Sequence, residues 1–210
     1  MILLFKMSIN CCNSRYISDP SWYTQTAQAV RKNLDAAGLT STKQHVTEWF
    51  PCILCKAQDS DDGAAAFGAS LTNMIHAGVS LATLYPACSL DEGNKTGGHG
   101  WGLFDVETEP GHALWRPLTY TYLQFGELMQ STPHEVMAVT SGPAEAGFTV
   151  LAGRSEATGA AALKILILIA SRQSNSSAIQ VGLQGMPPLK TMRYSVVLTN
   201  QSVVLGVRFY

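Results

Sequence analysis

Hydrophobic positions follow a helical period and a strand period in turn over the first two-thirds of the chain. Trp22, Ala27, Val30, Leu34 and Ala37 recur at helical spacing behind Asp19-Pro20, and Gly38 follows as a stop, which predicts a helix over 21–38. The run from Gln44 to Trp49, bounded downstream by Pro51, reads as a strand over 44–49. After the polar stretch 58–63, Phe67, Leu71, Met74 and Ile75 share one helical face, and Gly78 closes a helix predicted over 64–77. A strand over 79–85 comes next. Helix, strand, helix, strand is the order of βα units whose strands run parallel. A third helical pattern covers 114–129, with Trp115, Leu118, Tyr122, Phe125 and Leu128 on its apolar face.

The texture changes after Thr132-Pro133. Runs at 135–140, 147–153, 163–170, 194–199 and 203–209 are short, rich in β-branched residues and separated by Gly, Ser, Asn and Pro, as in a small antiparallel sandwich or sheet. These patterns predict an α/β chain of two parts, 1–131 and 132–210.

Composition narrows the function classes. Of 210 residues, 46% are hydrophobic and 14% charged, which is the balance of a folded globular protein. The length lies at the low end for a complete eight-stranded α/β barrel, which takes about 250 residues. A formal net charge of -1 with no Lys/Arg cluster gives no electrostatic footprint for nucleic acid. The apolar start 1–5 precedes Lys6 and is too short for a signal-peptide core. The apolar stretch 160–170 is interrupted by Lys164 and falls short of the roughly 20 residues a bilayer span needs, so no membrane segment is expected. Localisation is left open.

Five cysteines cannot all pair internally. Cys52 and Cys55 have the spacing of redox or zinc pairs, but Cys88, His99 and His112 supply no second pair, and the expectation is two loop cysteines without a metal. The glycine-rich stretch 90–102 follows no phosphate-binding pattern, so neither a nucleotide nor another cofactor is expected. It reads as a long loop of the kind that shapes a substrate site.

The candidate chemistry lies at the end of the strand 44–49. Glu48 is followed at once by Trp49, and the C-terminal ends of α/β-barrel strands are where catalytic side chains project. A carboxylate can attack or stabilise an oxocarbenium-like centre, and a flat aromatic ring packs against a sugar face. Tyr85 ends the next strand, and Trp101 lies in the glycine-rich loop. The plainer reading of each is a surface carboxylate and aromatic packing residues. Three positions before Glu48, His45 is assigned by regular alternation to the opposite side of the strand.

Taken in order, the helix 21–38, Val46-Thr47-Glu48-Trp49, Ala77-Gly78-Val79, Gly100-Trp101-Gly102-Leu103-Phe104-Asp105 and Phe125-Gly126-Glu127-Leu128 resemble the later half of a glycoside hydrolase barrel. The resemblance is to glycoside hydrolase family 39 and related clan members, and it covers about residues 19–155. It implies a partial (β/α) barrel followed by a small antiparallel β-sandwich domain, a carbohydrate substrate and retaining hydrolysis of a β-linked glycoside. Glu48 then resembles the nucleophile at the end of the seventh strand, with Trp49 and Trp101 as rings near the sugar; Tyr85, which the strand order 44–49 then 79–85 brings to the same end, is a further candidate for stacking on it. In that family the acid/base carboxylate belongs to an Asn-Glu motif after the fourth strand, and this sequence contains no Asn-Glu pair. The expectation is therefore the C-terminal portion of such a barrel, with weak or no activity of its own and with edges that another chain would close. Two alternatives stay open: a non-catalytic carbohydrate-binding protein, and a structural remnant of a glycosidase.

Overall fold

A computed structural model of the chain describes residues 2–5, 19, 21–49, 60–84, 87–89, 102–106, 113–136, 148–155, 163–171, 181–182, 184, 192–199 and 202–209. These residues divide into two compact units, Met1–Thr121 and Tyr122–Tyr210, with the division inside one helix. The change of texture near residue 132 comes at the end of that same helix.

In the first unit, β1 (Ile2–Phe5), β2 (Lys43–Trp49) and β3 (Val79–Leu84) form a sheet in the order β1-β2-β3, and both pairings are parallel. Helix α1 (Trp22–Ala36) connects β1 to β2, and α2 (Asp61–His76) connects β2 to β3. Sequential order with a helix in each connection is the βα repeat that the sequence predicts. Tyr23 of α1, Phe67 and Met74 of α2, and Val46 and Trp49 of β2 share one buried core, so both helices cover the same face of the sheet.

Local chemistry sets the ends of these elements. The Asp19 carboxylate accepts from the backbone N–H of Ser21 at 3.1 Å and from its hydroxyl, tying down the first turn of α1. Gly38, at φ 75°, lets the chain turn back as Leu39 N–H donates to the Leu34 carbonyl at 2.8 Å. Arg31 then spans the turn into β2. Its Nη2 donates to the Leu39 carbonyl at 2.8 Å and its Nη1 to the Thr42 carbonyl at 2.6 Å, while Nε reaches Asp35 at 2.9 Å. Ser60 caps α2, its hydroxyl accepting from Gly63 N–H at 3.2 Å. The run Gly63 to Ser70 is buried all round, with Phe67 its one large side chain among Gly, Ala and Ser. Thr24 Oγ1 donates to the Asn73 carbonyl at 3.2 Å and links the two helices.

A small second sheet belongs to the same unit: β4 (Cys88–Ser89) pairs parallel with β5 (Phe104–Val106), which pairs antiparallel with β6 (Ala113–Trp115). Here the sequence expectation is corrected. The third helix, α3, runs Pro117–Ser131, and Trp115 lies before it on a strand, half exposed, with Phe104 as its cross-strand partner. Proline favours the first helical position and turns the residue before it away from helical backbone, so Pro117 sets the start. Tyr122 is 43% exposed, whereas Leu118, Thr121, Phe125 and Leu128 are buried.

In the second unit, β7 (His134–Val136), β8 (Phe148–Arg154), β9 (Lys164–Ser171), β10 (Met192–Thr199) and β11 (Ser202–Phe209) form one antiparallel sheet in the order β10-β11-β9-β8-β7. The stretch Ile165 to Ala170 is buried at every position, on both faces of the strand. Lys164 Nζ donates to Glu127 Oε1 and to Ser131 Oγ, each at 2.9 Å, joining β9 to the last turns of α3. Among the described residues the parallel sheet is open rather than closed into a barrel, and the architecture is mixed α/β with small sheets.

Candidate functional site

Glu48 stands one residue before the C-terminal end of β2, and what places it is an irregularity in the strand. Gln44 and Val46 are buried, Val46 in the core shared with α1 and α2, while His45 and Thr47 are half-buried. Strict alternation would return Glu48 to the side of Val46. The pairing with β3 shows otherwise. Val46 lies opposite Ala82 and Trp49 opposite Leu84, so three steps along β2 match two along β3. One extra residue is absorbed at Thr47-Glu48, the pattern of a β-bulge. An opposite slip occurs earlier, where Gln44 meets Val79 and His45 meets Leu81, leaving Ser80 as the extra residue of β3.

The two slips sort the side chains. Val46 and Trp49 from β2, with Val79, Ala82 and Leu84 from β3, pack on the helix side. His45, Thr47 and Glu48, with Ser80, Leu81 and Thr83, are left on the opposite face. Glu48 is half-buried there, Leu81 is 49% exposed, and Thr83 is exposed. This corrects the expectation for His45, which shares the face of Glu48 because the bulge shifts the alternation by one.

Trp49 is corrected as well. Its indole is 2% exposed, lies nearly parallel to the Phe67 ring at 5.1 Å and 12°, and meets Tyr23 edge-on at 5.6 Å and 76°. Buried on the helix side and covered by a phenyl ring, it packs the core rather than stacking on a sugar. Its Nε1 is buried without a hydrogen-bond partner, a cost that the ring's burial against Phe67 and Tyr23 has to offset. Sequence reasoning had no means of assigning Tyr23 and Phe67 to this arrangement, because the bulge that brings Trp49 to them depends on the partner strand.

Tyr85 and Trp101, like Cys52 and Cys55, lie outside the described residues. Among the described residues no cluster of three or more His, Cys, Asp or Glu side chains is placed to hold a metal ion. No described helix is long and apolar enough to cross a membrane.

Among the described residues, the face of the parallel sheet that α1 and α2 leave uncovered carries one carboxylate, Glu48, near the C-terminal end of its strand. By register it shares that face with Thr47 and Thr83, with His45 further back along β2. Such a carboxylate can serve as a nucleophile or charge stabiliser, and the described residues bring no second carboxylate onto β1, β2 or β3.

No family model matches the chain, and no curated protein matches it. Among solved structures it is similar to a glucosidase from Croceicoccus marinus, with a TM-score of 0.50 and 22% sequence identity over 80% of this chain and 32% of the glucosidase. It is also similar to SrfJ from Salmonella typhimurium, with a TM-score of 0.44 and 9% identity over 89% of this chain and 38% of SrfJ. The chain therefore spans about a third of the length of each of these proteins. At 22% identity the likeness to the glucosidase is one of fold alone.

Proposed function

We propose that this chain carries the nucleophile side of a retaining glycosidase site, in a portion of a (β/α)8-type barrel followed by a β-sandwich layer. The observation that supports this most is the position of Glu48: at the C-terminal end of a parallel strand, on the sheet face that α1 and α2 leave uncovered. In a barrel that face lines the interior, and the strand ends form the active-site rim. Burial of β9 on both faces fits a sheet that forms one layer of a sandwich. The substrate class is a carbohydrate; the glucosidase likeness makes glucosides the first to try, and the resemblance to family 39 selects the β-linked ones. Family 39 or a related clan is the finer assignment that the Thr-Glu-Trp at 47–49 supports.

In the reaction, Glu48 attacks the anomeric carbon, the leaving group departs with a proton, and water releases the glycosyl-enzyme ester. Among the described residues β1, β2 and β3 bring no second carboxylate to donate that proton. Activated leaving groups need no such donor, which selects the experiment. Incubation with 2-fluoro glycosides bearing dinitrophenolate, followed by peptide mass analysis, is expected to give an adduct on Glu48 that Glu48→Gln abolishes. A folded wild-type chain that takes no label from a panel led by the glucoside would overturn the nucleophile assignment and leave sugar binding without turnover as the reading to pursue.

A further inference from the structure

A strand that slips by one residue has an alternative register close at hand, and one step of slippage sends every following side chain to the other face. For β2 the alternative places the Glu48 carboxylate on the helix side, against Tyr23 and Phe67, where a charge lacks compensation. It also puts the Trp49 indole on the open face. Something must therefore hold the bulge, and the aromatic contacts identify it. Phe67 is fully buried on α2 and covers the flat of the Trp49 ring, while Tyr23 of α1 closes the edge. Both helices are anchored: α2 by the Ser60 cap, and α1 to α2 by the bond from Thr24 to the Asn73 carbonyl.

We infer that Phe67 is a positioning residue for Glu48. By stacking on Trp49 it fixes the bulge at Thr47-Glu48 and so turns the carboxylate onto the open face. The ring touches no substrate and acts wholly through Trp49 and the backbone. The inference rests on the nucleophile reading for its catalytic consequence, and on the register and ring geometry for its structural content.

The test uses the whole chain with Phe67→Leu, and with Phe67→Met as the longer, more adaptable substitute of similar volume should the first fail to fold. Leu71→Ala is the control, since Leu71 packs against the same core from the same helix without stacking on Trp49. Two quantities are read. Amide hydrogen exchange at Thr47, Glu48 and Trp49 is expected to quicken about tenfold or more in the Phe67 variant relative to Gln44–Val46, a selective local opening. The rate constant for labelling Glu48 by the 2-fluoro glucoside is expected to fall about 10- to 100-fold, the scale of a misplaced reacting group. The saturation constant should change by less than about threefold, because sugar contacts are untouched. Leu71→Ala should loosen both helix and strand without that split.

Uniform exchange along β2, an unchanged labelling rate, or an equal effect of Leu71→Ala would each overturn the positioning role. If the folded wild type takes no label, the nucleophile reading fails, and the exchange pattern still decides whether Phe67 holds the bulge.

Discussion

Gly38 and Gly126 have similar surroundings and opposite backbones. A Cβ added at either meets no atom within 4 Å, but Gly38 has φ 75° at the end of α1 while Gly126 lies inside α3. Alanine at 38 must adopt the left-handed region, and Gly38→Ala is expected to lower stability by about 1 kcal/mol. Alanine at 126 suits the helix and restricts the unfolded chain, so Gly126→Ala is expected to raise stability by about 0.5–1 kcal/mol. Denaturant midpoints of the two variants, displaced to opposite sides of the wild type, are the check. The same residue scale shows what the sequence discloses about the site. The place of Glu48 near a strand end is legible because a β-branched run and a proline stop are both local signals. The face taken by Trp49 is not. Its side of the sheet follows from the pairing of Val46 with Ala82 and of Trp49 with Leu84, which no window of β2 alone contains. His45 changed sides for the same reason.

Elements bounded by a strong local signal were read correctly in kind: Gly38 and Gly78 close α1 and α2, and the parallel order of β2 and β3 followed from the helix between them. The start of α3 was misjudged because Trp115 fits the apolar period while Pro117, two residues on, sets where a helix can begin. On β9 the continuous apolar run at 163–170 correctly implied a buried strand. Ile167 sits in its middle, 6% exposed, paired with Leu205 of β11 on one side and Ala152 of β8 on the other. Truncation there leaves a cavity on the buried face of the sheet, in the cluster with Ala152, Ile165 and Ile169, and Ile167→Ala is expected to cost about 2–4 kcal/mol. Thermal unfolding followed by far-ultraviolet circular dichroism would show it, and a loss below about 1 kcal/mol would mean that the sheet collapses around the gap.

At the scale of the whole molecule, the parallel sheet has one face packed and one face bare among the described residues. Parallel strands in folded proteins are ordinarily covered on both faces, which is why they read as near-continuous apolar runs. Here β3 is mixed, with Val79, Ala82 and Leu84 on the helix side and Ser80, Leu81 and Thr83 opposite. A face that carries threonines, a serine, a histidine and a carboxylate suits a barrel interior near its active-site rim better than a second helix layer. Leu81 is its apolar exception, 49% exposed and opposite His45. An exposed leucine on a sheet whose edge strands pair with no further strand among the described residues favours association. The isolated chain is therefore expected to grow in apparent mass with concentration in light scattering, and Leu81→Ser, which removes the apolar group without touching the helix-side core, should reduce that growth. Equal scattering from both proteins would mean that this face is already covered within the chain. The barrel-interior reading would then have to yield to one in which the sheet is packed on both sides and Glu48 has lost its access to a sugar.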